Sequence, residues 1–278
     1  MTYFTDLALE RSEISGDLDG VYVTGQETDG LKTTVVQITN LASAERLGKA
    51  VGTYITLESP VLFELPPAAD GAAAETLAHC LTRLLPEGEG PVLVAGVGNP
   101  EITADALGPR AASGVFATRH IDEDLRSEAG VAAPLRPVAV VCADVLGKTG
   151  IETAEVLRSL VPVVNPCAVV TVDALAARRA ERLGTTVQLS DTGIAPGSGV
   201  GNSRRRIDES ALGVPVFAVG VPTVISSAVF AGEESDDGLV VTPKDADKLV
   251  RNAAAVIALA LNRALQPALS REELLALS

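Results

Sequence analysis

The chain has no tryptophan, a single methionine and two histidines, and aromatic residues make up only 3% of its 278 positions. A core without large rings must be built from Ala, Val, Leu and Ile, and aromatic stacking platforms for single-stranded nucleic acid are excluded. Basic residues are also scarce: Lys plus Arg number 22 against 36 Asp plus Glu, a net charge of −14. That sign repels a phosphate backbone, so no nucleic-acid partner is expected. His79 and His120 cannot form an HExxH zinc motif and leave few candidates for a Ser-His-Asp triad. The three cysteines, Cys80, Cys142 and Cys167, include no CxxC pair and read as buried thiols in a reducing cytosol. The first ten residues carry two acids and no basic stretch, so no signal peptide is expected. The most apolar run, 211–232, is broken by Gly213, Pro215, Gly220 and Pro222. It reads as a buried strand followed by a helix rather than a membrane span.

Apolar residues reach 47%, enough for one large core, and the chain reads as a single α/β domain over 1–278. Residues 21–24, 33–39 and 53–57 are β-branched runs split by Gly-containing turns, a small antiparallel β section within 7–65. Residues 66–71 break the pattern, and 72–85 has helical periodicity. Four apolar runs then alternate with helical stretches: 92–95 with 105–116, 137–143 with 151–160, 167–172 with 174–183, and 214–219 with 223–230. This alternation predicts a mostly parallel twisted sheet flanked by helices. A long helix over 242–265, capped by Thr242 with Pro243 at its first position, closes the chain.

Several motifs fail on inspection. Gly147-Lys148-Thr149 lacks the upstream glycine of a phosphate loop, because position 142 is Cys142. Gly96-Val97-Gly98 and Gly197-Ser198-Gly199 lack the third glycine of a dinucleotide loop. Asp191-Thr192-Gly193 matches the tripeptide of pepsin-like proteases, but occurs once and in an α/β pattern, so Asp191 reads first as a turn-capping residue. Arg204, Arg205 and Arg206 read as a solvated turn, with docking of an acidic segment as the sharper alternative.

Three acids remain. Asp105, Asp144 and Asp173 lie just past predicted strands or in the loops that follow, at the sheet edge where α/β proteins bind ligands. Each could simply cap a helix N-terminus. Gathered together, they could share a proton and activate water, or bind a metal.

The quoted motifs carry a resemblance that covers nearly the whole chain. They are Thr5-Asp6-Leu7-Ala8, Gly52-Thr53-Tyr54-Ile55-Thr56-Leu57-Glu58 and Thr103-Ala104-Asp105-Ala106-Leu107-Gly108-Pro109. With them stand Asp173-Ala174-Leu175-Ala176-Ala177-Arg178 and the long run from Gln188 through Asp191-Thr192-Gly193 to Pro196-Gly197-Ser198-Gly199-Val200-Gly201-Asn202. In these the chain resembles the germination protease family of spore-forming bacteria. The resemblance implies an atypical aspartic endopeptidase that degrades small acid-soluble spore proteins. It would be made as a zymogen in the forespore, assemble as a homotetramer and need no cofactor, metal or membrane. It places the catalytic pair on Asp105 and Asp173, processing between Asp6 and Leu7 with 1–6 as a short pro-segment, and a fold akin to hydrogenase maturation proteases.

Asp144, Asp191, Ser198, Gly199 and Asn202 are further candidates to support the site, the glycine loop by offering backbone N–H groups to a substrate carbonyl. Two departures stand out: the family usually has a small residue where Asp144 stands, and only 225–240 replaces an insertion that is often long. A metal-assisted maturation endopeptidase is the alternative enzyme, disfavoured because neither His79 nor His120 follows a sheet strand. A non-enzymatic peptide-binding protein is the third reading.

Overall fold

A computed structural model describes residues 5–64, 71–88, 90–128, 134–201, 204–227, 229, 239–270 and 273–274. The elements run in the order α1 (Ala8–Ser15), β1 (Val21–Thr28), β2 (Leu31–Ile38), α2 (Leu41–Leu47), β3 (Gly52–Glu58) and α3 (Gly71–Leu84). Next come β4 (Val92–Val97), α4 (Leu107–Ser113), α5 (Glu123–Glu128), β5 (Val138–Ala143), α6 (Leu146–Thr149) and α7 (Thr153–Val164). The chain continues with β6 (Ala168–Ala177), β7 (Thr186–Ser190), α8 (Glu209–Leu212), β8 (Val216–Ser226), β9 (Val240–Val241) and α9 (Ala246–Leu265).

All the described strands belong to one open sheet, ordered β1-β2-β3-β7-β8-β6-β4-β5, with β9 against β8. The β4–β5, β4–β6 and β6–β8 pairings are parallel, and the other five are antiparallel. The sheet is therefore mixed rather than mostly parallel. The N-terminal β section is not a separate layer, because β7 joins it to the parallel strands by pairing with β3 on one side and β8 on the other. The β1–β2 hairpin turns through Asp29 and Gly30, both at positive φ (53° and 75°), the geometry of a tight Asp-Gly hairpin.

Helices α3, α4 and α9 cover one face of the sheet, around a core of β4, β6, β7 and β8 side chains such as Val94, Val172, Leu189 and Val219. The other face carries two separate covers. Helices α7 and α8 pack over Leu93, Ala95, Val97 and Val169. Helices α1 and α2 pack over Val36, Ile38 and Tyr54, so the β section has a cover of its own.

Several sequence expectations are corrected. The stretches 174–183 and 223–230 read as helices, yet β6 runs to Ala177 and β8 to Ser226. The Ala- and Leu-rich 174–183 favours helix in isolation, whereas 223–226 is Thr-Val-Ile-Ser, whose β-branched residues themselves favour strand. Here 173–177 pairs with β8, and Asp6 exchanges hydrogen bonds with Ala176, so tertiary pairing overrides propensity. Asp173 consequently stands inside a strand rather than past its end. The last helix begins at Ala246 after Asp245, not at Thr242. Cys80 is buried, but Cys167 is only partly so and Cys142, on the edge strand β5, is exposed. The pro-segment candidate is also not loosely held where it is described: Thr5 and Asp6 are buried, while residues 1–4 lie outside the described residues.

Candidate active site

Strands β4 and β6 are neighbours, and the chain leaves their carboxyl ends in different ways. After β4, a single 3₁₀ turn (Thr103–Asp105) leads into α4 on the covered face. Gly108 at the start of α4 rests against the ends of both strands: a β-carbon there would lie 2.2 Å from the Val97 carbonyl oxygen and 2.3 Å from that of Val172. Only glycine allows this approach, which draws the Asp105 turn down onto the sheet. Thr223 of β8 fixes the turn from the side, donating from Oγ1 to the Ala104 carbonyl at 2.7 Å. Asp105 then accepts the Asn99 N–H on Oδ2 at 2.7 Å.

Asp173 is reached along the sheet. Thr34, Thr56, Gln188, Gly220 and Asp173 are successive cross-strand partners on β2, β3, β7, β8 and β6. Side chains opposite one another share a face, so a polar row crosses the sheet and ends at Asp173. Gly220 has no side chain, and the Leu175 side chain lies over it: a β-carbon there would come 2.5 Å from Leu175 Cγ. The row runs from strands under the α1–α2 cover to one under the α7–α8 cover. Asp173 is 5% exposed, and its carboxylate accepts only the N–H of Ala174, at 2.9 Å.

Two cavities meet here. One of about 360 Å³ lies toward α2 and β3, the other of about 380 Å³ toward the Asp105 turn. Asp6, Asp173 and Leu175 border both, and Asp105 borders the second. Burial raises the Asp105 carboxyl above the usual range, against the Asn99 hydrogen bond and with help from the Asp144 charge. Burial raises Asp173 further, with added repulsion from Asp105 and Asp6. Two carboxyls whose burial favours their protonated forms, beside one crevice, can share a proton and act as an acid and a base.

Asp6 is the third acid at this point. Its N–H donates to the Ala176 carbonyl at 2.8 Å, and Oδ2 accepts the Ala176 N–H at 2.9 Å. Ser198 donates from Oγ to Oδ1 at 2.6 Å, and Gln188 bridges the Asp6 carbonyl and the Ala8 N–H. Leu7 beside it is buried against Leu175, Ala177 and Ile225. A β-carbon on Gly199 would sit 2.3 Å from Asp6 Oδ2. The closest neighbour of the glycine loop is thus the N-terminal segment.

The sequence of this chain matches the profile of the germination protease family over residues 5–236. It is 39% identical to the germination protease of Caldanaerobacter subterraneus, over 97% of this chain and 96% of that one. It is 35% identical to that of Clostridium tetani, over 99% and 98%, and 39% identical to that of Priestia megaterium, over 84% and 66%. The chain belongs to the germination protease family.

The other candidates in this family member are placed as follows. Asp144 is turned to Lys148, 2.7 Å away, which holds its carboxyl below the usual range, and it borders neither cavity. Asp191 is exposed and accepts the Thr53 N–H at 2.7 Å, tying the end of β7 to the start of β3. Arg205 pairs with Glu155 and Arg206 with Asp208. Asn202 lies outside the described residues. Among the described residues no three His, Cys, Asp or Glu side chains form a metal-sized group, and no helix is long and apolar enough to cross a membrane. Sequence reasoning missed Asn99, Ala176 and Gln188, which orient the acids through hydrogen bonds that no spacing signals.

Proposed function

We propose that this endopeptidase degrades small acid-soluble spore proteins, with Asp105 and Asp173 as a proton-sharing catalytic pair. The observation that carries the reading is two carboxyls on one crevice, Asp173 from within β6 and Asp105 from the turn after the adjacent β4, both raised by burial. Asp173, the more deeply buried, holds the proton and gives it to the scissile carbonyl oxygen. Asp105, whose ionised form the Asn99 N–H favours against burial, takes a proton from water, and the water oxygen attacks the carbonyl carbon. Collapse of the tetrahedral intermediate breaks the C–N bond, and the amine leaves with the proton now on Asp105. The test is turnover of a small acid-soluble spore protein by Asp105→Asn and Asp173→Asn. Each should lose on the order of 10²-fold or more, and near-normal turnover by the folded Asp173→Asn protein sinks the pair.

The same pair is proposed to cut between Asp6 and Leu7, making the chain a zymogen. The supporting contact is the pinning of Asp6 to Ala176, three residues past Asp173. Acid favours the shared-proton state, so incubation near about pH 5 should remove residues 1–6. Intact-mass spectrometry reads it, and an equal loss in Asp105→Asn would falsify self-cleavage. A homotetramer is proposed too. Strand β1 is a sheet edge with Tyr22 and Val23 about half exposed (57% and 51%), the kind of edge that seeks a partner. Light scattering at a monomer mass of 28.5 kDa contradicts it.

A further inference from the structure

Asn99, in the segment between β4 and α4, has one polar group left over. It is 8% exposed and follows Gly98. Gly98 lies at φ 124°, and a β-carbon there would sit 2.1 Å from the Asp105 carbonyl oxygen. Glycine at this position lets the chain fold back against the Asp105 turn and brings the Asn99 backbone to the Asp105 carboxylate. The Asn99 N–H donates to Asp105 Oδ2 at 2.7 Å. Its carbonyl accepts the Ile102 N–H at 3.2 Å, and its Oδ1 accepts the Glu101 N–H at 2.9 Å. The last contact is an Asx turn, which fixes the side chain and identifies Oδ1 as the oxygen of the amide. Nδ2 remains. It donates to no described residue, and unlike the hydroxyls of Thr34, Thr56 and Thr186 it is not sealed from solvent.

Asn99 borders the cavity toward the Asp105 turn, together with Asp105 and Asp173. Much of the remaining wall is aliphatic, with Val97, Ile102 and Val145 among its residues. Thr223 is spent on the Ala104 carbonyl. On the glycine loop, Ser198 is spent on Asp6. Asn99 Nδ2 is thus a free, neutral donor beside the two acids, and in an apolar setting a fixed donor stabilises developing negative charge far better than it would in water.

We infer that Asn99 Nδ2 is a catalytic hydrogen-bond donor to the carbonyl oxygen of the scissile peptide bond, alongside the Asp173 proton. The inference rests on the reading that Asp105 and Asp173 hydrolyse that bond, and deepens it. As the water activated by Asp105 adds to the carbonyl carbon, the C=O π pair moves to oxygen, which takes the Asp173 proton while Nδ2 donates to a remaining lone pair. On collapse the C=O re-forms, the oxygen returns its proton to Asp173, and the amine leaves with the proton held by Asp105. One residue then serves both ends of the reaction: its backbone N–H holds the base, and its side-chain amide holds the oxygen on which charge develops.

Every substitution except proline keeps the Asn99 N–H, so the side chain can be removed without freeing Asp105. Asn99→Ala is expected to lower kcat by about 10²–10³-fold, the loss on removing one oxyanion donor, with KM within about twofold of wild type. The acid limb of kcat/KM should not move, because the Asn99 N–H, Asp144 and Asp173 still face Asp105. A statine-type peptide presents a tetrahedral carbon and a hydroxyl in place of the scissile carbonyl, and its inhibition constant should weaken by about tenfold or more. Binding of the uncleaved peptide to Asp105→Asn protein, read by fluorescence anisotropy, should be the same with and without Asn99→Ala. Asn99→Ser keeps an oxygen that can accept the Glu101 N–H and drops the amide, so it should lose a similar factor in kcat and serves as the test if Asn99→Ala does not fold. A kcat within about threefold of wild type in either folded variant overturns the assignment. Equal weakening of the peptide and its statine analogue does too, as does an acid limb that shifts with the loss, since both mark a residue that only props the turn. Failure of the catalytic pair is separable: Asp105→Asn and Asp173→Asn would then turn over near normally, while the Asn99 effect is still read on kcat.

Discussion

Two groups of acids meet the N-terminal segment a few residues apart, one at Glu10 and Glu13 and the other at Asp6, and they are solved in opposite ways. Glu10, Glu13 and Glu58 converge on Arg182, itself 4% exposed. Arg182 meets Glu13 with both terminal nitrogens, at 3.1 and 2.8 Å, and Glu58 through Nε at 2.9 Å. Glu10 also accepts the N–H groups of Arg178 and Arg179. Burial alone would raise the Glu13 carboxyl, but the Arg182 contacts overcome it and hold it below the usual range. Asp6, Asp105 and Asp173 have no such cation, and Asp105 and Asp173 are raised. The first group fixes the chain at fixed charge. The second keeps a proton in play, which is costly for the fold and useful for chemistry.

Breaking the compensated group should have the largest effect. Arg182→Ala leaves the buried Glu10 without its cation, while Glu13 keeps Arg179 and Glu58 keeps Lys32, and should cost about 3–5 kcal/mol by denaturant unfolding. A cost under about 1 kcal/mol would mean the group is solvated like a surface pair. Next comes the link between the N-terminal segment and the site. Ser198→Ala removes the 2.6 Å hydrogen bond to the Asp6 carboxylate and should cost about 1.5–3 kcal/mol, with faster proteolysis of the N-terminal segment.

The uncompensated group should respond with the opposite sign. Asp173 has a raised folded value, so between the ordinary carboxylate range and that value the folded state binds more protons and stability falls as pH rises. Asp173→Asn should therefore raise Tm at neutral pH, by about 2–4 °C per kcal/mol relieved, and the gain should fade toward about pH 4. Calorimetry of both proteins across that window decides it; a Tm loss at pH 7 would place Asp173 among the compensated acids. The smallest effect belongs to Asp191→Asn. Its exposed bond to the Thr53 N–H is worth about 1 kcal/mol, so turnover should stay near normal.

Local sequence set the strands of the hairpin section, the Val-rich runs of β4 and the first half of β6 and the long closing helix, because hydrophobic period and Asp-Gly turn chemistry are local. It also singled out Asp105 and Asp173 as candidates through motifs, although Asp173, expected past a strand end, stands inside β6. Tertiary pairing decided that 173–177 is strand, since pairing with distant segments outweighs the helical preference of Ala and Leu, whereas the β-branched 223–226 favoured strand by its own composition. Asp144 pairs with Lys148 four positions on, a local contact, and borders neither cavity. Tertiary structure also decided that Asp6 and Lys49 border Asp173. That meeting needs β7 to pair with both β3 and β8, placing residues from the N-terminal 50 beside a strand more than 120 positions later. No local signal encodes such a contact, because it depends on sheet order, and sheet order is set by which buried faces fit together.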